Sequence, residues 1–193
     1  LTVANNVLAH VPDINDFVAG FAHVLAPHGV ATFEFPHLMR LVAECQFDTV
    51  YHEHFSYLSL TAVAYVFERN GLALFDVEEI GTHGGSLRVY AQRADCGQRE
   101  RSLAVDALLE RERAAGMTTS AYYEGFQARA DRIKDYFVAF LIEAKSAGKR
   151  VMAYGAAAKG TTLMHSAGVR GALIACVADR NLAKQGKFMP GSR

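Results

Sequence analysis

The stretch LTVANNVLAHVPDINDFVAGFAHVLAPHGVATFEFP, residues 1–36, decides the fold class. LTVA is a short apolar run that breaks at Asn5-Asn6, and Pro12-Asp13 with Asn15 mark a turn and a helix start. Ile14, Phe17, Val18, Phe21 and Leu25 then recur at helical spacing as far as Pro27-His28-Gly29. VATFEF follows as a strand closed by Pro36. Strand, helix and strand within about 35 residues is the size of a βαβ unit, which predicts two parallel strands and a buried first strand.

Downstream, Ser59 or Thr61 can cap a helix that runs through Phe67 and stops at Asn70-Gly71. LALFDVEEI and SLRVYAQR are β-rich runs joined by Gly81-Thr82-His83-Gly84-Gly85, so they are expected to pair antiparallel. The texture changes near Asp95. A charged helix is expected over 99–113 and a longer one over 120–147, striped by Tyr122, Phe126, Ile133, Phe137 and Leu141. RVMAYGAAAKGTTLMHSAGV then restarts a strand, loop and helix before LIACVAD supplies another strand. The reading is therefore α/β in two parts: residues 1–94 as part of a Rossmann-like sheet, and residues 95–193 as a helical segment plus a second small Rossmann-like unit.

Composition bounds the function. Of the 193 residues, 51% are hydrophobic and 21% charged, enough apolar surface for real cores. Twenty basic residues balance twenty acidic ones without blocks of one sign, which argues against nucleic acid as a partner. Cys45, Cys96 and Cys176 are odd in number and far apart. They suit a reducing compartment, cytoplasm by default, rather than a disulfide framework or zinc knuckle. No apolar run approaches the roughly 20 residues that span a bilayer, so no membrane role is expected. The chain begins at Leu1 in a strand and ends in the turn signal Pro190-Gly191-Ser192-Arg193, as a piece of a longer protein would.

Three segments carry candidate chemistry. In YHEH, residues 51–54, a metal would need further ligands, and two histidines at i, i+2 share a face only in extended chain. A histidine with a carboxylate at the carboxyl edge of a parallel sheet is instead a tuned base, and a tyrosine hydroxyl can donate to a developing oxyanion. Satisfied polar side chains in a turn are the plainer alternative. In YGAAAKG, residues 154–160, small residues let backbone approach a ligand, helix-start amides attract anions, and Lys159 adds charge. Neither the Walker pattern nor GxGxxG fits, and a bare strand-to-helix turn would look the same. In HGGS, residues 83–86, the sequence is a hairpin link whose His83 could also reach a site. Asn5 and His10 after the first strand, and His37 after the second, stand where short polar groups can reach a ligand.

ANNVLAHVPD, GVATFEFP, YHEHFSYLSL, THGGSLRVYAQR, YGAAAKG and VADRNLAKQGKFMPGS, in that order, resemble the S-adenosylmethionine-dependent C-methyltransferases of nucleotide-linked keto-deoxysugars. The resemblance covers nearly the whole chain. It implies an N-terminal zinc-binding domain, a class I methyltransferase domain and a C-terminal α/β domain, with this chain starting at the fourth strand of the methyltransferase sheet. Zinc is then expected only in the N-terminal domain, and no metal site here. The glycine-rich cofactor loop would also lie outside the chain, so this fragment alone should bind S-adenosylmethionine weakly or not at all. By the resemblance His54 is the base, Glu53 orients it or a sugar hydroxyl, and Tyr51 contacts substrate or enolate. Asn5 and His10 lie near the cofactor, while His37, His83, Tyr154, Gly155 and Lys159 face the nucleotide sugar. A reductase-like nucleotide-binding module, a silent nucleotide-sugar-binding fragment, and O- or N-methylation of a related substrate are the alternatives. Oligomeric state stays open.

Overall fold

The computed structural model describes residues 1–191. Ser192 and Arg193, the last two residues of the terminal turn signal, lie outside the described part. The chain forms two compact units: residues 1–46 with 52–124, and residues 47–51 with those from 125 onward.

The first unit is built on strands β1 (Thr2–Asn5), β2 (Ala31–Pro36), β3 (Leu72–Ile80) and β4 (Ser86–Arg93), in the spatial order β1-β2-β4-β3. β1 and β2 are parallel, with Thr2 opposite Ala31, as the βαβ reading requires. β4 is antiparallel to both its neighbours, and Ile80 pairs with Ser86 across the Gly81–Gly85 link. The expected hairpin is therefore present. In β1 only Ala4 is buried and Val3 is 54% exposed, the strand pairing with β2 on one side.

Helix α1 (Ile14–Val24) crosses from β1 to β2. The Asp13 carboxylate caps it by accepting the Asn15 and Asp16 amides at 3.0 Å. α2 (Leu38–Ala43) follows β2 directly, and α3 (Leu60–Arg69) starts at the Ser59 cap, whose hydroxyl accepts the Ala62 amide. Asn70 closes α3 and Gly71, at φ 79°, turns the chain into β3. Phe33 lies at the centre of this unit. Its ring is 4.6 Å from Phe21 of α1 and 4.8 Å from Phe67 of α3, in tilted contacts. β2 is buried from Ala31 to Phe35, yet it alternates: Phe33 and Phe35 share the apolar face, while Thr32 and Glu34 point to the other.

Helix α4 (Leu103–Ala114) starts four residues later than the charge pattern suggested. It belongs to the first compact unit, which ends at Glu124. The physical reason is its inner face. Val105 and Leu108 join the main core, and the Ser102 hydroxyl donates to Asp76 at 2.6 Å beside the bulge in β3.

In the second unit, α5 (Phe126–Ser146) begins after Gly125, which takes φ 75° and separates it from a short 3₁₀ turn, Ser120–Tyr123. The continuous helix expected over 120–147 is thus interrupted. The short strands β5 (Ala153–Tyr154) and β6 (Val177–Ala178) pair in parallel around α6 (Ala158–Ser166), the expected strand, loop, helix and strand. Leu141, Val169 and Ile174 form a core with Phe137 and Met164 packed on it. Ile133 of the predicted stripe is 39% exposed. Among the described residues no helix is long and apolar enough to cross a membrane.

Truncating the fully buried Phe33 to Ala removes the ring on which two helices converge. The expected loss of stability is about 3–5 kcal/mol, read as a lower midpoint in urea unfolding followed by circular dichroism.

Candidate active site

In the first unit, polar residues gather beyond the carboxyl ends of β1 and β2, where parallel α/β sheets place their ligands. After β1 the chain makes a 3₁₀ turn, Leu8–His10, that leaves the His10 ring half-buried. The His54 ring meets it edge to face, with ring centroids 4.7 Å apart. The backbone explains the meeting: the Phe55 and Ser56 amides both donate to the Ala9 carbonyl, at 2.9 and 3.2 Å. His54 also faces Tyr57, with centroids 6.1 Å apart. His52 and Glu53 lie exposed in a turn, so the histidine pair divides into one half-buried ring and one solvated neighbour. Asn5 is exposed at the end of β1, and Asn6, at φ 54°, donates its amide to the Glu34 carbonyl.

His37 follows β2 and is 2% exposed. Its Nε2 lies 2.7 Å from Glu112 Oε1 of α4. The same carboxylate accepts the Leu60 amide at 2.7 Å, the Thr61 amide at 2.8 Å and the Thr61 hydroxyl at 2.6 Å. Glu112 thus caps the N-terminus of α3 from a different helix, where the helix dipole also favours an anion. Burial works to raise this carboxyl, but the donors His37, Thr61 and Leu60 outweigh it and hold it below the ordinary carboxylate range. Sequence reasoning missed Glu112, which sits in the run ERER and looks like surface charge. The available signal was spacing: Val105, Leu108 and Glu112 fall at i, i+3 and i+7, on one helix face.

The HGGS link runs through three consecutive residues with positive φ: His83 at 55°, Gly84 at 86° and Gly85 at 106°. His83 is exposed. The turn is tied down on both sides, since Gln46 Nε2 donates to the Gly84 carbonyl at 2.7 Å and the His37 amide donates to the Gly85 carbonyl at 3.1 Å. Nearby, buried Glu34 accepts from Arg88 at 3.0 Å and from the Thr82 hydroxyl at 3.2 Å. Arg88 is raised above its ordinary value, first by that hydrogen bond to Glu34.

The second unit holds a cavity of about 1050 Å³ beside the strand-to-helix turn. Ala156, Ala157, Ala158 and Thr161 line it on one side, and Arg170, Asp179, Lys184 and Lys187 bring charge to it. Asp179, just past β6, accepts the Ala156 amide at 2.7 Å and the Asn181 amide at 2.8 Å. The Asn181 and Ala156 amides, in that order, hold its carboxyl below the ordinary range. Lys184 Nζ donates to the Ala156 carbonyl at 2.6 Å. Of the residues singled out from sequence, Tyr154 is 74% exposed, Gly155 takes φ 95° and Lys159 stands in the first turn of α6. They flank the lining residues along the chain and do not themselves line the cavity. Tyr51 is half-buried in this second unit.

Residues 81–193 match the family model described as the C-methyltransferase C-terminal domain. The chain belongs to that family. It is also 37% identical over 193 residues to the C-methyltransferase NovU of Streptomyces niveus, a match that covers all of this chain and 46% of that protein. The chain therefore spans about half the length of the relative. The family match includes the HGGS link, Glu112 and the cavity of the second unit, whereas the YHEH segment precedes it.

Two outcomes follow from the Glu112 and HGGS geometry. Because the Glu112 carboxyl is depressed in the folded state, it contributes stability that is complete above the ordinary value of 4.5 and is lost as pH falls through the lower folded value. Urea midpoints measured from pH 6 down to pH 3 should fall more steeply for the parent than for Glu112→Gln. Gly85→Ala should destabilise by about 1–3 kcal/mol in the same assay. At φ 106° its added Cβ would come 2.8 Å from Arg40 Cγ, near the root of that side chain and not at its flexible end.

Proposed function

We propose that the protein, in its full length, transfers a methyl group from S-adenosylmethionine to a carbon next to the keto group of a nucleotide-linked deoxysugar. Membership of the C-methyltransferase C-terminal domain family and the likeness to a C-methyltransferase support carbon as the acceptor. The observation that carries the reading is the His54 ring, half-buried against His10 beyond the carboxyl end of β1.

The cofactor supplies an electrophilic methyl group when bound. Asn5, exposed at the end of β1, and the half-buried ring of His10 offer hydrogen-bonding groups that fit one polar edge of it. His54 takes the proton from the carbon next to the ketone, leaving an enolate as the nucleophile. A histidine suits this step because its ordinary pKa lies near neutrality. Glu53 orients the base or a sugar hydroxyl, and Tyr51 donates to the substrate or the enolate oxygen, where a positioned donor is worth about 3 kcal/mol. His83, exposed in the link after β3, offers a substrate contact in the first unit, whereas the buried His37 side chain ends on Glu112 and does not reach a ligand.

The second unit, taken by itself, offers a nucleoside diphosphate a cavity. Its volume suits a nucleoside diphosphate, Arg170, Lys184 and Lys187 offer cations to the phosphates, and Tyr154, Gly155 and Lys159 border it along the chain. Three cysteines scattered along the chain favour the cytoplasm as the compartment.

The test uses full-length enzyme with labelled S-adenosylmethionine and a dTDP-4-keto sugar. Label should appear on a sugar carbon, and His54→Ala should lower kcat by about 10²–10⁴-fold while calorimetry shows unchanged cofactor affinity. Absence of transfer by the parent, or a His54→Ala variant as fast as the parent, refutes the reading.

A further inference from the structure

We propose that Glu112 is a positioning residue for the reaction, holding the segment that carries His54 through two buried connections, one to His37 and one to the start of α3. The inference rests on the reading of His54 as the base.

The segment between His52 and α3 has no regular secondary structure apart from a bridge at Leu58, so its shape depends on what holds its ends. On the near side, the Ala9 carbonyl accepts the Phe55 and Ser56 amides and sets the His54 ring against His10. On the far side, Leu58 bridges His37, and the Leu38 amide donates to the Leu58 carbonyl at 2.9 Å. Two residues further on, the Leu60 and Thr61 amides end on the Glu112 carboxylate. The His37 side chain ends on that carboxylate too, and its amide ends on Gly85 of the HGGS link. One carboxylate therefore closes a ring of contacts through His37, Leu58 and the start of α3, and the HGGS link joins that ring at the His37 amide. The side chains of His37 and Glu112 are each 1% exposed, so water cannot substitute for a lost partner.

An exposed salt bridge on α4 gives the contrast. Arg113 pairs with Glu110 three residues before it on the same helix, with both side chains exposed. The number of donors also argues for placement. A carboxylate retained only to neutralise a buried histidine would need one contact, whereas Glu112 makes four, three of them to the two residues that begin α3.

The experiment compares full-length parent, Glu112→Gln, Thr61→Val, His37→Leu, the Glu112→Gln/His37→Leu double variant and Arg113→Ala. Steady-state kinetics are run beside ¹⁵N-histidine NMR of the His10 and His54 rings. Displacing a base slightly can lower turnover by about 10²-fold. Glu112→Gln should lower kcat at least about tenfold with the KM for S-adenosylmethionine unchanged, and should shift the His54 ring signals. The double variant should be no slower than the worse single one, since both break the same ring of contacts. Arg113→Ala should match the parent. Should Glu112→Gln fail to fold, Thr61→Val, which removes one donor, is read instead and should shift the same signals. Unmoved His54 signals in a folded Glu112→Gln or Thr61→Val variant, or losses that multiply in the double variant, overturn the proposal. A parent that transfers no methyl group refutes the functional reading alone, because the ring signals still decide whether Glu112 positions His54.

Discussion

A carboxylate taken out of water is stable only where hydrogen bonds replace its hydration, and this requirement organises the first unit around Glu112. Four donors meet it: the His37 ring, two backbone amides and a hydroxyl. Each donor comes from a segment that must therefore be in place at once. The corner after β2, the first turn of α3 and the inner face of α4 are locked to one another through a single side chain. α4 consequently belongs to the sheet unit although its sequence is as charged as a linker.

The same constraint shapes the carboxyl edge of the sheet. β1 and β2 run parallel and deliver Asn5, His10 and His37 to one end. The HGGS link between the antiparallel strands β3 and β4 returns to that end, because Pro36 pairs with Ser86. Its glycines hold positive φ where the backbone crowds Gln46 and Arg40, so the link keeps its shape by sterics as well as by hydrogen bonds. His54 is placed by the Ala9 carbonyl, a backbone group that any residue could supply. In the second unit a related device appears: the Asp179 carboxylate accepts an amide from the glycine-alanine turn and one from its own turn, which ties the two turns together.

Much of this was legible in the chain. The βαβ unit could be read because hydrophobic period changes from 3.6 to 2 at Pro27-His28-Gly29, and the Ser59 cap and Asn70-Gly71 stop bracket α3 by local chemistry alone. Glycine placement predicted the link between β3 and β4. The long helix was misjudged at its start because Gly125 turns left-handed, a choice that glycine permits without demanding it. A strand's burial depends on its neighbours and not on its own apolarity, so LTVA alone could not fix how deeply β1 is buried. Glu112 was hidden for a similar reason: its partners are 51, 52 and 75 residues away.

Periodicity, caps, turns and the ordered motifs by themselves determined the α/β class, the order of the elements and the segments that carry polar chemistry, since each depends on residues a few positions apart. Tertiary structure alone decided which of those polar residues meet. The half-buried His54 ring meets His10 through the Ala9 carbonyl, while the burial of His37 on Glu112 and the membership of α4 in the first unit need distant segments to share one low-dielectric interior. There the need to satisfy every buried donor and acceptor selects partners that no local pattern can name.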